Sequence, residues 1–321
     1  MSNKNILKKC RKSIKYYTNN NFICKKRFKD TYSGIKRIIV IGDIHGDLKI
    51  LLKCLKLAKL IDNKNNWIGG NTHVVQLGDI LDKGGRGIMD KTIYMEEFMI
   101  YEFLNLLDVQ ARKQKGAVHY LLGNHELMNI LGDFRYVHPK HLSDTGYSKR
   151  KKLFSPSGDP HPVSNGGYMA KLLGCHAYGI LKINKWYFVH AGLLPSHIND
   201  RTFTEINKLV KNILNGKVKL DDISTREQEL LFSKDSFFWT RFYTSNKDVC
   251  KVVNKTLDLL GNKDGGIIVG HTPNDTITHK CREKIWFTDV GLSGAFGNDY
   301  FNNVQVLEIK NNIPNILSEN Y

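Results

Sequence analysis

Arg37-Ile38-Ile39-Val40-Ile41-Gly42-Asp43-Ile44-His45-Gly46-Asp47, residues 37–47, decides how the rest of the chain is read. A short β-branched run stops at a glycine and gives way to acidic and imidazole side chains, as a buried strand does when it ends in a polar turn. The same pattern recurs along the chain. His73–Leu77 leads into Gly78-Asp79, Ala117–Leu122 into Gly123-Asn124, and Trp186–Val189 into His190. Ile267–Val269 leads into Gly270-His271, and Ile285–Thr288 into Asp289. Between these runs the apolar period lengthens to that of a helix. Leu48 to Leu60 is apolar at 48, 51, 52, 55, 58 and 60, and Met89 to Leu107 behaves alike. Alternating strands and helices predict an α/β fold.

In such folds the chemistry gathers beyond the carboxyl ends of the strands. The residues there are Asp43 and His45; Asp79 and Asp82; Asn124, His125 and Glu126; His190; and His271. Any one Gly-Asp after a strand is a common turn. Together, in order, GDIHGD, GDILDKGGRG, GNHE, HAGL and GHTP form a carboxylate, imidazole and amide set with no cysteine, which suits first-row divalent metals and not a thiolate zinc site. A set of this size can hold two ions about 3.5–4 Å apart, bridged by a carboxylate, an arrangement suited to displacement at phosphorus. His119, His138, His141, His161, His176, His197 and His279 belong to no motif and are read as ordinary structural histidines.

The GDIHG, GDILD and GNHE stretches resemble the signature of calcineurin-like metallophosphoesterases. More narrowly they resemble the phosphoprotein phosphatase branch. Asn124–Asn129, Gly132–Val137, Trp239-Thr240-Arg241 and Asp289–Ser293 are similar to the Shewanella-like protein phosphatases. The resemblance runs from about Arg37 to Gly297. It departs from the eukaryotic members at Leu122, in place of Arg before GNHE, and at Ala191, in place of the first Gly of HGG. No SAPNY motif is present near the C-terminus.

The resemblance implies a sandwich of two mixed β-sheets flanked by helices. It also implies phosphomonoester hydrolysis on phosphoproteins, Ser/Thr type first, by a hydroxide that two metal ions activate. Manganese is the first expectation for those ions, with iron or zinc as alternatives. It further implies that Asp43 and His45 bind one metal, Asp79 bridges both, and Asn124, His190 and His271 complete the second. His125 would protonate the leaving group, oriented by Asp82. Arg241 and Lys83 would hold the phosphate, Lys83 standing where the motif usually has Arg. Lys offers a point charge and not a planar fork. Arg86, past two glycines, is an exposed loop charge on this reading. Two other functions compete: a symmetrical dinucleoside tetraphosphate hydrolase, which shares the metal motifs, and an inactive basic module for nucleic acid or an acidic partner.

The 321 residues carry 48 Lys+Arg and 31 Asp+Glu, a net charge of +17, with 41% hydrophobic and 25% charged residues. These fractions exclude a disordered or fibrous chain. The lysines are scattered, except near the N-terminus. Residues 1–34 read as a basic N-terminal extension, whose contact with nucleic acid is the less favoured alternative. Residues 35–321 read as the metallophosphatase domain, with an inserted loop or lobe near 138–175 and a helical cap near 200–232. Six scattered cysteines without a CxxC pair are read as reduced thiols, which with the lack of an apolar leader predicts a cytoplasmic protein. No apolar run approaches a membrane span. The oligomeric state is left open.

Overall fold

The β-branched runs form strands buried on both faces, as expected where a sheet is covered on each side. The computed structural model describes residues 24, 28–84, 96–155, 167–296 and 304–319. Most of the basic extension, Arg86, the first part of the helix expected from Met89 and the centre of the expected insert lie outside the described residues.

The strands are β1 (Thr31–Tyr32), β2 (Arg37–Ile41), β3 (His73–Gln76), β4 (Ala117–Tyr120), β5 (Ile180–Ile183), β6 (Trp186–Val189), β7 (Gly266–Val269), β8 (Thr278–Lys280), β9 (Ile285–Phe287), β10 (Gln305–Lys310) and β11 (Ile313–Ser318). They form two mixed sheets flanked by helices, in the orders β1-β5-β6-β7-β9-β8 and β11-β10-β2-β3-β4. The core strands β2, β3 and β4 run parallel, as do β6, β7 and β9. Their carboxyl ends therefore emerge together from each sheet. Leu121 and Tyr178 form a bridge that ties the two sheets where β4 leaves the core.

The helices are α1 (Leu48–Leu57), α2 (Glu96–Arg112), α3 (Asn124–Ile130), α4 (Gly146–Phe154), α5 (Tyr168–His176), α6 (Pro195–Ile198), α7 (Phe203–Leu214), α8 (Thr225–Phe232), α9 (Phe242–Ser245) and α10 (Val249–Leu259). Asp47 opens α1 by accepting from the Ile50 amide. Segment 138–175 contains α4 and most of α5, and segment 200–232 contains α7 and α8. α7 lies against β5, where Asn207 bonds the Gly179 and Ile180 amides. Thr31–Tyr32, on the extension side of the boundary drawn at residue 34, pairs as β1 with β5.

The cysteines require a correction. Cys24–Cys175 and Cys250–Cys281 are disulfides, with Cα atoms 5.5 and 5.1 Å apart. Cys54 is a buried thiol. Pairs separated by 151 and 31 residues leave no local pattern, so the lack of a CxxC pair was no sign of reduction. Such bonds persist in oxidising settings and run against the reducing cytoplasm expected above. Among the described residues, no helix is long and apolar enough to cross a membrane.

Candidate metal centre

Loops at the ends of β2, β3, β4, β6 and β7 deliver the motif residues to one place between the sheets. Close approach is built into them. A Cβ on Gly42 would lie 2.5 Å from the Thr288 carbonyl, and one on Gly123 would strike the Asp79 carboxylate. Only glycine lets these loops nest. His45, Asp79, Asp82 and His271 all hold left-handed backbone, with φ of 33°, 50°, 70° and 68°. Strain of this kind clusters where side chains must be aimed.

Asp79 is the hub. Its Oδ2 lies 3.5 Å from His190 Nε2 and 3.9 Å from the Nε2 atoms of His45 and His125. It belongs to two side-chain groups able to hold a cation: His45, Asp79 and His125, and Asp79, His190 and His271. Backbone carbonyls fix the imidazole tautomers. His45 Nδ1 donates to Leu81 O at 3.1 Å, and His190 Nδ1 to Leu77 O at 2.8 Å. His271 Nε2 donates to Trp239 O at 3.1 Å. In each ring the other nitrogen keeps its lone pair, the ligand form of histidine. Burial, then the neighbouring His190, pushes His271 down to about 3, and burial lowers His190 as well, which favours the neutral imidazole in each.

Two further observations fit a cation. Asp43 is buried, accepts from the His271 amide on Oδ2, and has no hydrogen-bond partner for Oδ1 among the described residues. Burial, with Asp289 and Asp79 nearby, raises its carboxyl well above the usual range. His190 Nε2, an acceptor in this tautomer, faces the Asn124 Oδ1 acceptor at 2.9 Å. A positive ion would relieve both arrangements. The donor set of carboxylate, imidazole and amide oxygen suits first-row divalent ions.

Beside this cluster His125 Nδ1 lies 2.8 Å from Asp82 Oδ2. The His125 amide donates to Asp79 Oδ1 at 3.0 Å, which joins the dyad to the hub. Glu126, fully buried, accepts the amides of Asp79, Ile80, Leu81 and Gly123 and the Tyr101 hydroxyl, and so pins the loops of β3 and β4 together. A cleft of about 180 Å³ opens over the cluster, with Tyr136, Trp239, Arg241 and Phe296 among its walls. Arg241 is at its rim, with Nη1 3.0 Å from Thr272 Oγ1. Lys83 is not among the cleft residues. Its buried Nζ lies 3.3 Å from Asp47 Oδ2.

The motif histidines and carboxylates thus come together, and Lys83 is paired with Asp47. The sequence reading missed Glu97, Asn129 and Arg150, which surround Asp82. Arg150 was hidden in the basic run Lys149–Lys152. Its one signal was the helical spacing to Phe154, since these two are the buried residues of α4.

Two mixed sheets that collect such a donor set at their strand ends define a metallophosphoesterase. Residues 36–307 match the calcineurin-like phosphoesterase family, and the chain belongs to it. It is 30% identical over 297 residues to Shewanella-like protein phosphatase 1 of Plasmodium berghei, covering 87% of this chain and 75% of the relative. It is also 30% identical to Shewanella-like protein phosphatase 2 of Arabidopsis thaliana over 328 residues, covering 90% and 78%. The crystal structure of a cold-active protein-tyrosine phosphatase from a psychrophilic Shewanella species superposes with a TM-score of 0.73 at 28% identity, covering 92% of this chain and 84% of that one.

Proposed function

We propose that this protein is a phosphoprotein phosphatase that cleaves phosphoserine and phosphothreonine monoesters with the help of two divalent ions, manganese first. The observation that carries the reading is the His125–Asp82 pair at 2.8 Å, set against a cluster that shares Asp79. Asp43, His45 and Asp79 would hold one ion, and Asp79, Asn124, His190 and His271 the other. Ions bound there would polarise the phosphoryl oxygens and lower the pKa of the attacking water.

The chain's own residues do the rest. Arg241 presents its remaining guanidinium N–H groups to the phosphate at the rim. Asp82 accepts from His125 Nδ1–H and its charge favours the imidazolium, whose Nε2 proton is the one given up at departure. Water adds to phosphorus, the ester P–O bond breaks, and the Nε2 proton passes to the leaving oxygen. The products are the free hydroxyl side chain and inorganic phosphate. An alkoxide is a poor leaving group, so a positioned acid matters most for serine and threonine esters.

A second reading, phosphotyrosine, is favoured by the aromatic walls Tyr136, Trp239 and Phe296 and by the tyrosine phosphatase with a similar structure. The test is a panel of phosphoserine, phosphothreonine and phosphotyrosine peptides and a dinucleoside tetraphosphate, assayed after chelation and after return of Mn²⁺. Turnover of the serine and threonine peptides that depends on returned metal is expected. Faster turnover of the tyrosine peptide would favour the second reading. Hydrolysis of the dinucleotide alone would overturn both.

A further inference from the structure

We propose that Arg150 is a positioning residue for the catalytic acid, holding Asp82 and through it the His125 imidazole. The proposal rests on the reading of His125 as the acid given above.

Asp82 sits on a left-handed backbone, fully buried, and its carboxylate is divided between two tasks. Oδ2 faces His125 Nδ1 at 2.8 Å, while Oδ1 accepts from Arg150 Nη2 at 3.1 Å. Asn129 Nδ2 lies 3.0 and 3.1 Å from the two oxygens and 2.8 Å from the His125 carbonyl. Arg150 Nε in turn donates to Asn129 Oδ1 at 2.6 Å. Both terminal nitrogens of the guanidinium reach Glu97 Oε2 at 3.0 Å, and Glu97 Oε1 accepts the Asp82 and Lys83 amides. The circuit closes: Glu97 holds the backbone of Asp82, Arg150 holds its side chain, and Asn129 ties both to the His125 turn.

Arg150 has little freedom of its own. Its guanidinium carbon lies 5.2, 5.6 and 5.8 Å from the ring centres of Phe154, Phe98 and Phe134. Flat rings around a planar cation hold its orientation. The geometry needs a fork, because one side chain must serve Asp82, Glu97 and Asn129 in fixed directions; a lysine ammonium would not reproduce this. α4, which carries Arg150, is therefore part of the apparatus that aims the acid.

A bland alternative is that Arg150 only neutralises buried Glu97. Five proteins distinguish the two: Arg150→Lys, Arg150→Met, the variant Glu97→Gln/Arg150→Met, which removes both buried charges so that the fold persists, His125→Asn, and Arg150→Met combined with His125→Asn. Each is assayed with manganese on an alkyl phosphopeptide and on an aryl phosphate. Misplacing a reacting group by about 1 Å can cost about 10²-fold. We therefore expect kcat on the alkyl substrate to fall about 10²-fold with KM little changed. The loss should be smaller on the aryl substrate, part of it should be recovered in Arg150→Lys, and no further loss should appear when Arg150→Met is added to His125→Asn. In the metal-free protein, NMR of the His125 ring should show its Nδ1 proton downfield, and this signal should move or broaden in the folded Glu97→Gln/Arg150→Met variant.

Equal losses on both substrates, additivity with His125→Asn, or an unmoved His125 resonance would overturn the inference while leaving the proposed function intact. If His125→Asn itself fails to discriminate alkyl from aryl, the acid assignment falls, and this inference with it.

Discussion

Asp79 is the residue that both candidate cation groups share, so its loss touches both at once. Asp79→Asn should lose bound metal and turnover together, measured by elemental analysis beside kinetics; full occupancy with normal turnover would remove it as the bridge. His125→Asn should keep its metal and lose about 10²–10⁴ in turnover on alkyl esters, the range typical of general acid catalysis. The two cations once paired on the phosphate now separate. Arg241 lines the cleft, so Arg241→Ala should lower kcat/KM by about 10- to 100-fold, the equivalent of a charged hydrogen bond of about 1.5–3 kcal/mol. Lys83 instead neutralises buried Asp47, which also caps α1 and accepts the Gly294 amide. Lys83→Ala should therefore cost about 3–5 kcal/mol in urea unfolding, as for other broken buried pairs, with KM nearly unchanged.

Among the elements, α8 is closed by a reciprocal box. Ser224 Oγ accepts from the Glu227 amide, and Glu227 Oε2 accepts the Ser224 amide at 2.9 Å. α8 donates no side chain to the motif set, so Ser224→Ala should cost about 1 kcal/mol of stability and leave turnover alone. The Ser224 amide and then its hydroxyl hold the Glu227 carboxyl below its ordinary value. A depressed carboxyl contributes above its unfolded pKa and loses that contribution as pH falls through the folded one. The stability gap between wild type and Glu227→Ala should thus be present at neutral pH and shrink in acid, read by urea midpoints. α3 and α4 form the functional counterpart: the first carries His125, the second Arg150, and their side chains meet on Asp82.

At the scale of the molecule, the disulfides tie distant parts. Cys24–Cys175 binds the segment before β1 to α5, closing 151 residues, whereas Cys250–Cys281 closes 31. In the chain-entropy account each bond is worth about 2–5 kcal/mol, and the longer loop exceeds the shorter by about 1 kcal/mol. Cys24→Ser should accordingly lower the urea midpoint more than Cys250→Ser. Equal shifts would point to native-state contacts and not loop length. The centre itself is a whole-molecule product: Asp43, Asp79 and Asn124 come from one sheet, His190 and His271 from the other.

The α/β class, the motif residues and their order along the chain were legible in the linear text, because a buried strand ending in glycine and a metal donor is a local pattern of side-chain type. The resemblance added the two sheets and the division of roles. Everything set by contact between distant segments stayed hidden. A basic run such as Lys149–Lys152 looks solvated until helix packing buries one member, and nothing in the linear text pairs Lys83 with Asp47. Cysteine pairing, the left-handed turns at His45, Asp79, Asp82 and His271, and the meeting of both sheets' loops were decided by tertiary structure alone. The physical reason is that sequence patterns report each residue's neighbours along the chain, while charge pairing, burial and backbone strain are settled by neighbours across it.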